Sequence, residues 1–229
     1  MSKKAFVFPG QASQYVGMGE DLYANSTQAQ NLYDRAEELF DEFSIKQLSF
    51  KCPLKELTET KVTQPAIFIN SYALFKEIEK KCNPDVVAGH SLGEYTALTA
   101  AGALDFEEAL KLVKVRSEQM QMATENSAGT MAAIVGLDFE KVKAILDDMK
   151  SYGICVLANH NSPKQIVISG ETPAVQKAMM KMKDEGARRA IELSVGGAFH
   201  SPLMKSAKKK KKKALDSANF KKPNYPIYS

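Results

Sequence analysis

An α/β fold in two parts is what this sequence predicts, and three observations carry the prediction. Short, wholly apolar runs, Ala5 to Phe8 and Val86 to Ala88, alternate with amphipathic stretches in the first half, as in a parallel sheet covered on both faces by helices. Between about Gly129 and Val195 the rhythm changes to strand, helix, strand, strand, helix, strand, which is the ferredoxin-like split βαβ order. At 229 residues, 44% hydrophobic and 25% charged, the chain has enough apolar material for a large core.

Taken in order, Ala5 to Phe8 reads as a buried strand and Gly10-Gln11-Ala12-Ser13-Gln14 as the loop after it. Asn31 to Phe43 has the spacing of an amphipathic helix. Gln64-Pro65 opens another that runs to about Lys81, with proline tolerated in the first turn. Val86 to Ala88 is the next strand, and the helix that follows it is ended by Gly102. Phe106 to Thr124 is a further helix. The smaller part holds strand Thr130 to Val135, helix Phe139 to Lys150, strand Ile154 to Ala158, the hairpin loop 159–163, strand Gln165 to Ser169, helix Pro173 to Glu185 and strand Arg188 to Leu193. Residues 1–128 with 196–229 are therefore expected to form the larger part, and 129–195 a smaller part inserted into it.

Composition narrows the function classes. Met1-Ser2-Lys3-Lys4 precedes too short an apolar stretch for a signal peptide, and no run approaches the length of a membrane span, so a cytoplasmic protein without membrane contact is expected. Cys52, Cys82 and Cys155 are isolated, odd in number and outside any C-x-x-C spacing, which indicates neither a disulfide framework nor a zinc site. No metal or cofactor is expected, and a monomer is. The net charge of +4 hides an asymmetry: residues 205–229 hold nine lysines against one aspartate, leaving 22 basic against 26 acidic residues before them. The run Lys208 to Lys213 covers more than one helical turn and so points in every direction; it reads as an exposed helix or as a patch for an acidic partner. With the rest of the chain acidic and no binding module present, nucleic acid is not expected.

One segment carries chemistry. Gly89-His90-Ser91-Leu92-Gly93 follows the strand Val86 to Ala88 and precedes the helix former Glu94-Tyr95-Thr96-Ala97-Leu98, placing Ser91 on a strand-to-helix elbow. That is the setting of an activated serine nucleophile, and the strand, turn and helix make it more specific than G-x-S-x-G alone. At the helix N-terminus, unpaired N–H groups and the positive dipole end favour a developing oxyanion. A Gly-rich turn with a helix-capping serine is the alternative. The oxyanion donors expected by analogy with hydrolase folds are the N–H of Leu92, after the nucleophile, and an N–H from the early loop at Gln11; a plain Pro-Gly turn also fits that loop.

Serine needs a base. Of three histidines, His90 should point away from Ser91, and His160 falls in the expected hairpin loop. His200, in Gly196-Gly197-Ala198-Phe199-His200-Ser201-Pro202, is the best general base, although a structural role also fits a Gly-rich loop. The helix Phe106 to Thr124 adds a second signal: its apolar stripe runs Ala109, Leu112, Val113, Arg116, Met120, Ala123, so an arginine stands where the period predicts a core residue. An inward guanidinium requires an anion, either a protein carboxylate such as Glu94 or a substrate carboxylate held by two parallel N–H···O bonds, which lysine cannot supply.

Five separated motifs, FPGQASQ, GHSLGEYTALTAAGAL, KVRSEQM, ANHNSP and GAFHSPLM, together resemble the malonyl-CoA:acyl carrier protein transacylase family of bacterial fatty acid synthesis, in order along essentially the whole chain. The resemblance implies an α/β-hydrolase-like large acyltransferase subdomain with a parallel sheet and an inserted ferredoxin-like (βαββαβ) small subdomain. It implies Ser91 as nucleophile, His200 as base, Arg116 as the grip on the malonyl carboxylate, and the N–H groups of Gln11 and Leu92 as oxyanion hole. Phe199 before the histidine and Leu92 after the serine match malonyl-selecting members, where methylmalonyl-selecting relatives carry Ser and often Gln. Gln64, in Thr63-Gln64-Pro65, also matches a family motif near the site. Malonyl-CoA is the implied substrate and acyl carrier protein the implied partner, in a ping-pong transfer.

The sequence departs from the family in three places. Ala12 stands where many members have glycine. The lysine run occupies a helix that elsewhere interleaves apolar residues. The family continues past Pro226-Ile227-Tyr228-Ser229, and a backbone carbonyl from that continuation orients its histidine. The family's activity is expected of the complete protein, and a weakened or inactive form of a chain that ends here. A serine esterase or thioesterase shares the elbow, but such enzymes usually order Ser, Asp or Glu, then His, and do not need Arg116. A module that only binds carrier protein is the non-enzymatic alternative.

Overall fold

The computed structural model describes residues 3–125 and 128–228; Met1 and Ser2 of the N-terminal reading and the terminal Ser229 lie outside the described residues. The chain divides into two compact units, Met1–Glu118 with Lys211–Ser229, and Gln119–Lys210.

In the first unit the two apolar runs become β1 (Ala5–Phe8) and β2 (Val86–Gly89), paired in parallel from Ala5 opposite Val86 to Phe8 opposite Gly89. Between them lie α1 (Glu20–Asn25), α2 (Thr27–Glu37), α3 (Ile45–Phe50), α4 (Leu54–Leu57) and α5 (Thr60–Ile78). Helix α2 starts earlier than the predicted Asn31 because Ser26 caps it, its hydroxyl accepting from the Ala29 N–H at 3.1 Å. It ends at Glu37, short of Phe43, as the N–H groups of Leu39 and Phe40 turn back to the carbonyls of Ala36 and Glu37. Helix α5 opens a turn before the predicted Gln64, so Pro65 stands inside it. It is buried on nearly every side, and Ile67, Phe68 and Ile69 enter a core shared with Leu32, Tyr33, Leu92, Leu110 and Val113. Helix α6 (Gly93–Ala100) follows β2 directly, and α7 (Phe106–Glu125) runs across the boundary between Glu118 and Gln119.

The second unit is built on β3 (Gly129–Val135), β4 (Cys155–Ser162), β5 (Gln165–Glu171) and β6 (Arg189–Glu192), in the order β4-β5-β3-β6 with every pair antiparallel. With α8 (Phe139–Asp148) after β3 and α9 (Thr172–Asp184) after β5, this is the split βαβ arrangement the sequence predicts. Alternation decides the faces. Ala132, Ile134, Ile166 and Ile168 pack with Val142 and Ile145 of α8 and Val175 and Met182 of α9, while Met131 and Val167 between them pack with Phe199. Strand β4 runs further than expected: 159–162 are strand rather than hairpin loop, accommodated by register shifts between Leu157 and Asn159 and between His160 and Ser162.

Helix α10 (Lys205–Asp216) crosses the second boundary, and β7 (Ile227–Tyr228) pairs in parallel with β2, giving the first unit the sheet order β1-β2-β7. Among the described residues no helix is long and apolar enough to cross a membrane.

Candidate active site

Close packing makes the elbow. His90 N–H donates to the Phe8 carbonyl at 3.0 Å, tying the end of β2 to β1, and Gly93 N–H turns back to the His90 carbonyl at 2.9 Å. A Cβ on Gly93 would stand 2.1 Å from the Phe8 carbonyl oxygen, so only glycine lets α6 start this near the sheet. The bend between them puts Ser91 at φ +54°, a left-handed conformation costly for a residue with a Cβ. Leu92, fully buried in the core, anchors the turn beneath it.

The inward arginine predicted from the stripe is found. Arg116 is 5% exposed, on the same face of α7 as buried Ala109, Leu112 and Val113. Its Nη2 donates to Ser91 Oγ at 2.9 Å, and its Nη1 donates to Gln64 Oε1. Neither partner is a carboxylate, and the Tyr95 ring centroid lies 6.0 Å from the guanidinium carbon. Burial draws the Arg116 pKa below its ordinary value, against which the fields of Tyr95 and Glu94 act. A buried cation whose hydrogen-bond partners are neutral is costly until an anion joins it.

A relay of amides fixes this arrangement. Gln64, fully buried, donates through Nε2 to Gln11 Oε1 at 3.3 Å, and Gln11 Nε2 donates to Thr60 Oγ1 at 3.3 Å. The direction of the relay turns the Gln64 oxygen toward Arg116. Gly10 touches the elbow, since a Cβ there would stand 2.6 Å from the His90 carbonyl oxygen, and this places the start of the Gln11 loop beside Ser91. The backbone N–H groups of Gln11 and Leu92 donate to no acceptor among the described residues.

Phe199 and His200 belong to the second unit. Phe199 is buried with Met131 and Val167, and His200 is exposed at φ +59°. Ser201 holds the turn after it, donating to the Ala198 carbonyl at 2.6 Å and accepting from Leu203 N–H at 3.2 Å. His160 lies on β4 with its ring 5.3 Å from that of Phe139.

The model of the acyl transferase domain family matches residues 5–229 of the chain. The chain belongs to the acyl transferase family. It is similar to a malonyl CoA-acyl carrier protein transacylase of Bacillus subtilis (strain 168), 46% identical over 231 residues, covering 100% of this chain and 73% of that protein. Its counterpart in Staphylococcus aureus (strain MRSA252) is 41% identical over 99% of this chain and 73% of that protein. Among solved structures, a malonyl CoA-acyl carrier protein transacylase from Coxiella burnetii superposes with a TM-score of 0.93 at 36% identity, covering 99% of this chain and 72% of that one. A malonyl-transacylase in complex with a type II PKS acyl-carrier protein gives 0.92 at 37%, over 99% and 74%. Acyl transferases of this kind share the mixed architecture described above, a parallel sheet and a separate antiparallel one.

Sequence reasoning names Gln64 only as a motif match, and the structure bonds it to Arg116; two neighbours, Thr60 and Tyr95, are given no role by it. Thr60 ends the amide relay; its signal is the polar trio Thr60, Thr63 and Gln64 at the start of an otherwise apolar helix. Tyr95, beneath the guanidinium, reads in sequence as an ordinary helix residue.

Proposed function

We propose that this chain transfers a malonyl group from malonyl-CoA to the phosphopantetheine thiol of acyl carrier protein through an ester on Ser91, supplying fatty acid synthesis. The observation that carries the reading is Arg116: buried, bonded to Ser91 Oγ, and held by neutral partners. A thioester whose acyl group ends in a carboxylate supplies the missing anion at the distance of a short diacid from the hydroxyl.

In the first half-reaction Ser91 Oγ attacks the thioester carbonyl, and its proton passes to the base, a role assigned to His200 on the family resemblance. Since Arg116 donates to the serine oxygen, the serine proton remains available for that transfer. The carbonyl oxygen becomes an oxyanion facing the N–H groups of Leu92 and Gln11, each such donor supplying on the order of 3 kcal/mol. The C–S bond breaks, and the base returns its proton to the departing CoA thiolate. The carrier thiol then attacks the ester, its proton goes to the base and on to Ser91 Oγ, and malonyl leaves on the carrier. On the family resemblance, Phe199 and Leu92 are assigned the preference for an unbranched malonyl group. No resident cofactor enters this scheme. The large acyltransferase subdomain is assigned to 1–128 with 196–229, the small one to 129–195, and the protein is assigned to the cytoplasm as a monomer.

Mass spectrometry of the protein after incubation with malonyl-CoA or acetyl-CoA tests this. The expected result is a malonyl ester on the Ser91 peptide, absent in Ser91→Ala and far weaker with acetyl-CoA. Indifferent loading by both thioesters would favour an esterase or thioesterase; carrier binding with no ester on any residue would favour a binding module.

A further inference from the structure

Lys211 is the exception in the lysine run. Lys208, Lys209, Lys210, Lys212 and Lys213 are exposed, whereas Lys211 is half-buried. It falls on the helical stripe that continues through Ala214, Leu215 and Ala218, which pack on the core of the first unit. An apolar residue is what that stripe calls for. Instead, the Lys211 ammonium lies 5.8 Å from the centroid of the Tyr95 ring, the same ring that stands 6.0 Å from the Arg116 guanidinium carbon.

One aromatic ring therefore faces two cations. The π system of the ring attracts both, but the cations repel each other and both are drawn from water. Burial first, and then the field of Arg116, hold the Lys211 pKa below the ordinary lysine value, with Glu94 acting the other way. Among the described residues neither Arg116 nor Lys211 forms a salt bridge, whereas the next residue, Lys212, pairs with Asp216 at 2.6 Å. The repulsion is relieved by an anion that both can reach. Arg116 supplies a planar fork and Lys211 a mobile point charge, so a carboxylate held by the fork on one edge still has lone pairs for an ammonium.

We propose that Lys211 is a second anion-binding residue of the Arg116 site, and that the two cations together select acyl groups that end in a carboxylate. The proposal rests on the acyl transfer reading for its thioester substrate, but anion binding is testable without turnover.

Calorimetric titration of the full chain with malonate and with acetate reads it directly. The wild type should bind malonate at least tenfold more tightly than acetate. Lys211→Met keeps the stem over Tyr95 and the helix propensity, and should weaken malonate about tenfold; Lys211→Arg should restore most of the loss. Higher salt should weaken malonate binding more in the wild type than in Lys211→Met. Absence of malonate binding by the wild type, or equal affinity in Lys211→Met at an unchanged unfolding temperature, would overturn the role of Lys211. Loading of Ser91 by malonyl-CoA in the same samples separates the two readings. An ester formed equally by both proteins with equal malonate affinity removes only Lys211; malonate binding without any ester keeps the two-cation site and removes the transferase.

Discussion

Arg116 Nη2 donates to Ser91 Oγ at 2.9 Å, so a buried cation of the first unit and the residue at the strand-to-helix elbow are already in contact. The bond joins two features that are far apart in sequence and puzzling alone: an arginine on an apolar stripe and a serine at positive φ. Together they set a hydroxyl and a buried guanidinium within hydrogen-bond distance of each other.

The Gln64 amide decides how Arg116 is held. Gln64→Leu removes the acceptor of Nη1 and leaves a buried guanidinium hydrogen unpaired, which should lower stability by about 2 kcal/mol in urea unfolding and malonyl loading by more than tenfold. Gln64→Glu should instead keep stability but supply a protein carboxylate to Arg116, raising KM for malonyl-CoA while acetyl-CoA is little affected. A Gln64→Glu protein with unchanged malonyl KM would mean that Arg116 does not receive the substrate's acid end.

Gly93 has no room for a side chain. In Gly93→Ala the new methyl meets the Phe8 carbonyl oxygen, so β1 and α6 must separate at the elbow, at a cost of roughly 3 kcal/mol or more. Thermal unfolding should show a fall of about 6–12 °C, at about 2–4 °C for each kcal/mol in a chain of this size, and loading of Ser91 should be lost.

Ala12 is strained in the opposite sense. At φ +83° it occupies a conformation that favours glycine, and the substitution Ala12→Gly should relieve about 1–2 kcal/mol of strain while restoring about 0.4–1 kcal/mol of unfolded-chain entropy. A net gain of up to about 1.6 kcal/mol, read as a rise in the urea midpoint at unchanged slope, is expected. A lowered midpoint would show that the loop does not hold this conformation in solution.

Much of this was legible before any coordinates. The elbow announces itself through the order strand, Gly-x-Ser-x-Gly, helix, and Arg116 through a break in an apolar period; both signals are local. The antiparallel unit is legible because its strands alternate and its helices follow at regular spacing. Boundaries were less so. The early start of α2 depends on one capping hydroxyl, Ser26, which the spacing of apolar residues ignores, and that of α5 depends on tertiary burial of Thr60 and Thr63, which propensity does not foresee. The lysine run shows the limit most plainly. Sequence says that its members point in every direction and reads the run as exposed; only the packing of Ala214, Leu215 and Ala218 on the core shows that Lys211 is half-buried.

The central claim is that Arg116 receives the acid end of the acyl group, and the ratio of kcat/KM for malonyl-CoA to that for acetyl-CoA tests it most directly. In Arg116→Ala this ratio should collapse by on the order of 10²–10³, because rejection of the uncharged acyl group depends on leaving a buried guanidinium unpaired, and Arg116→Lys should not restore it. An undiminished ratio in Arg116→Ala, with both activities lowered in parallel, would contradict the account.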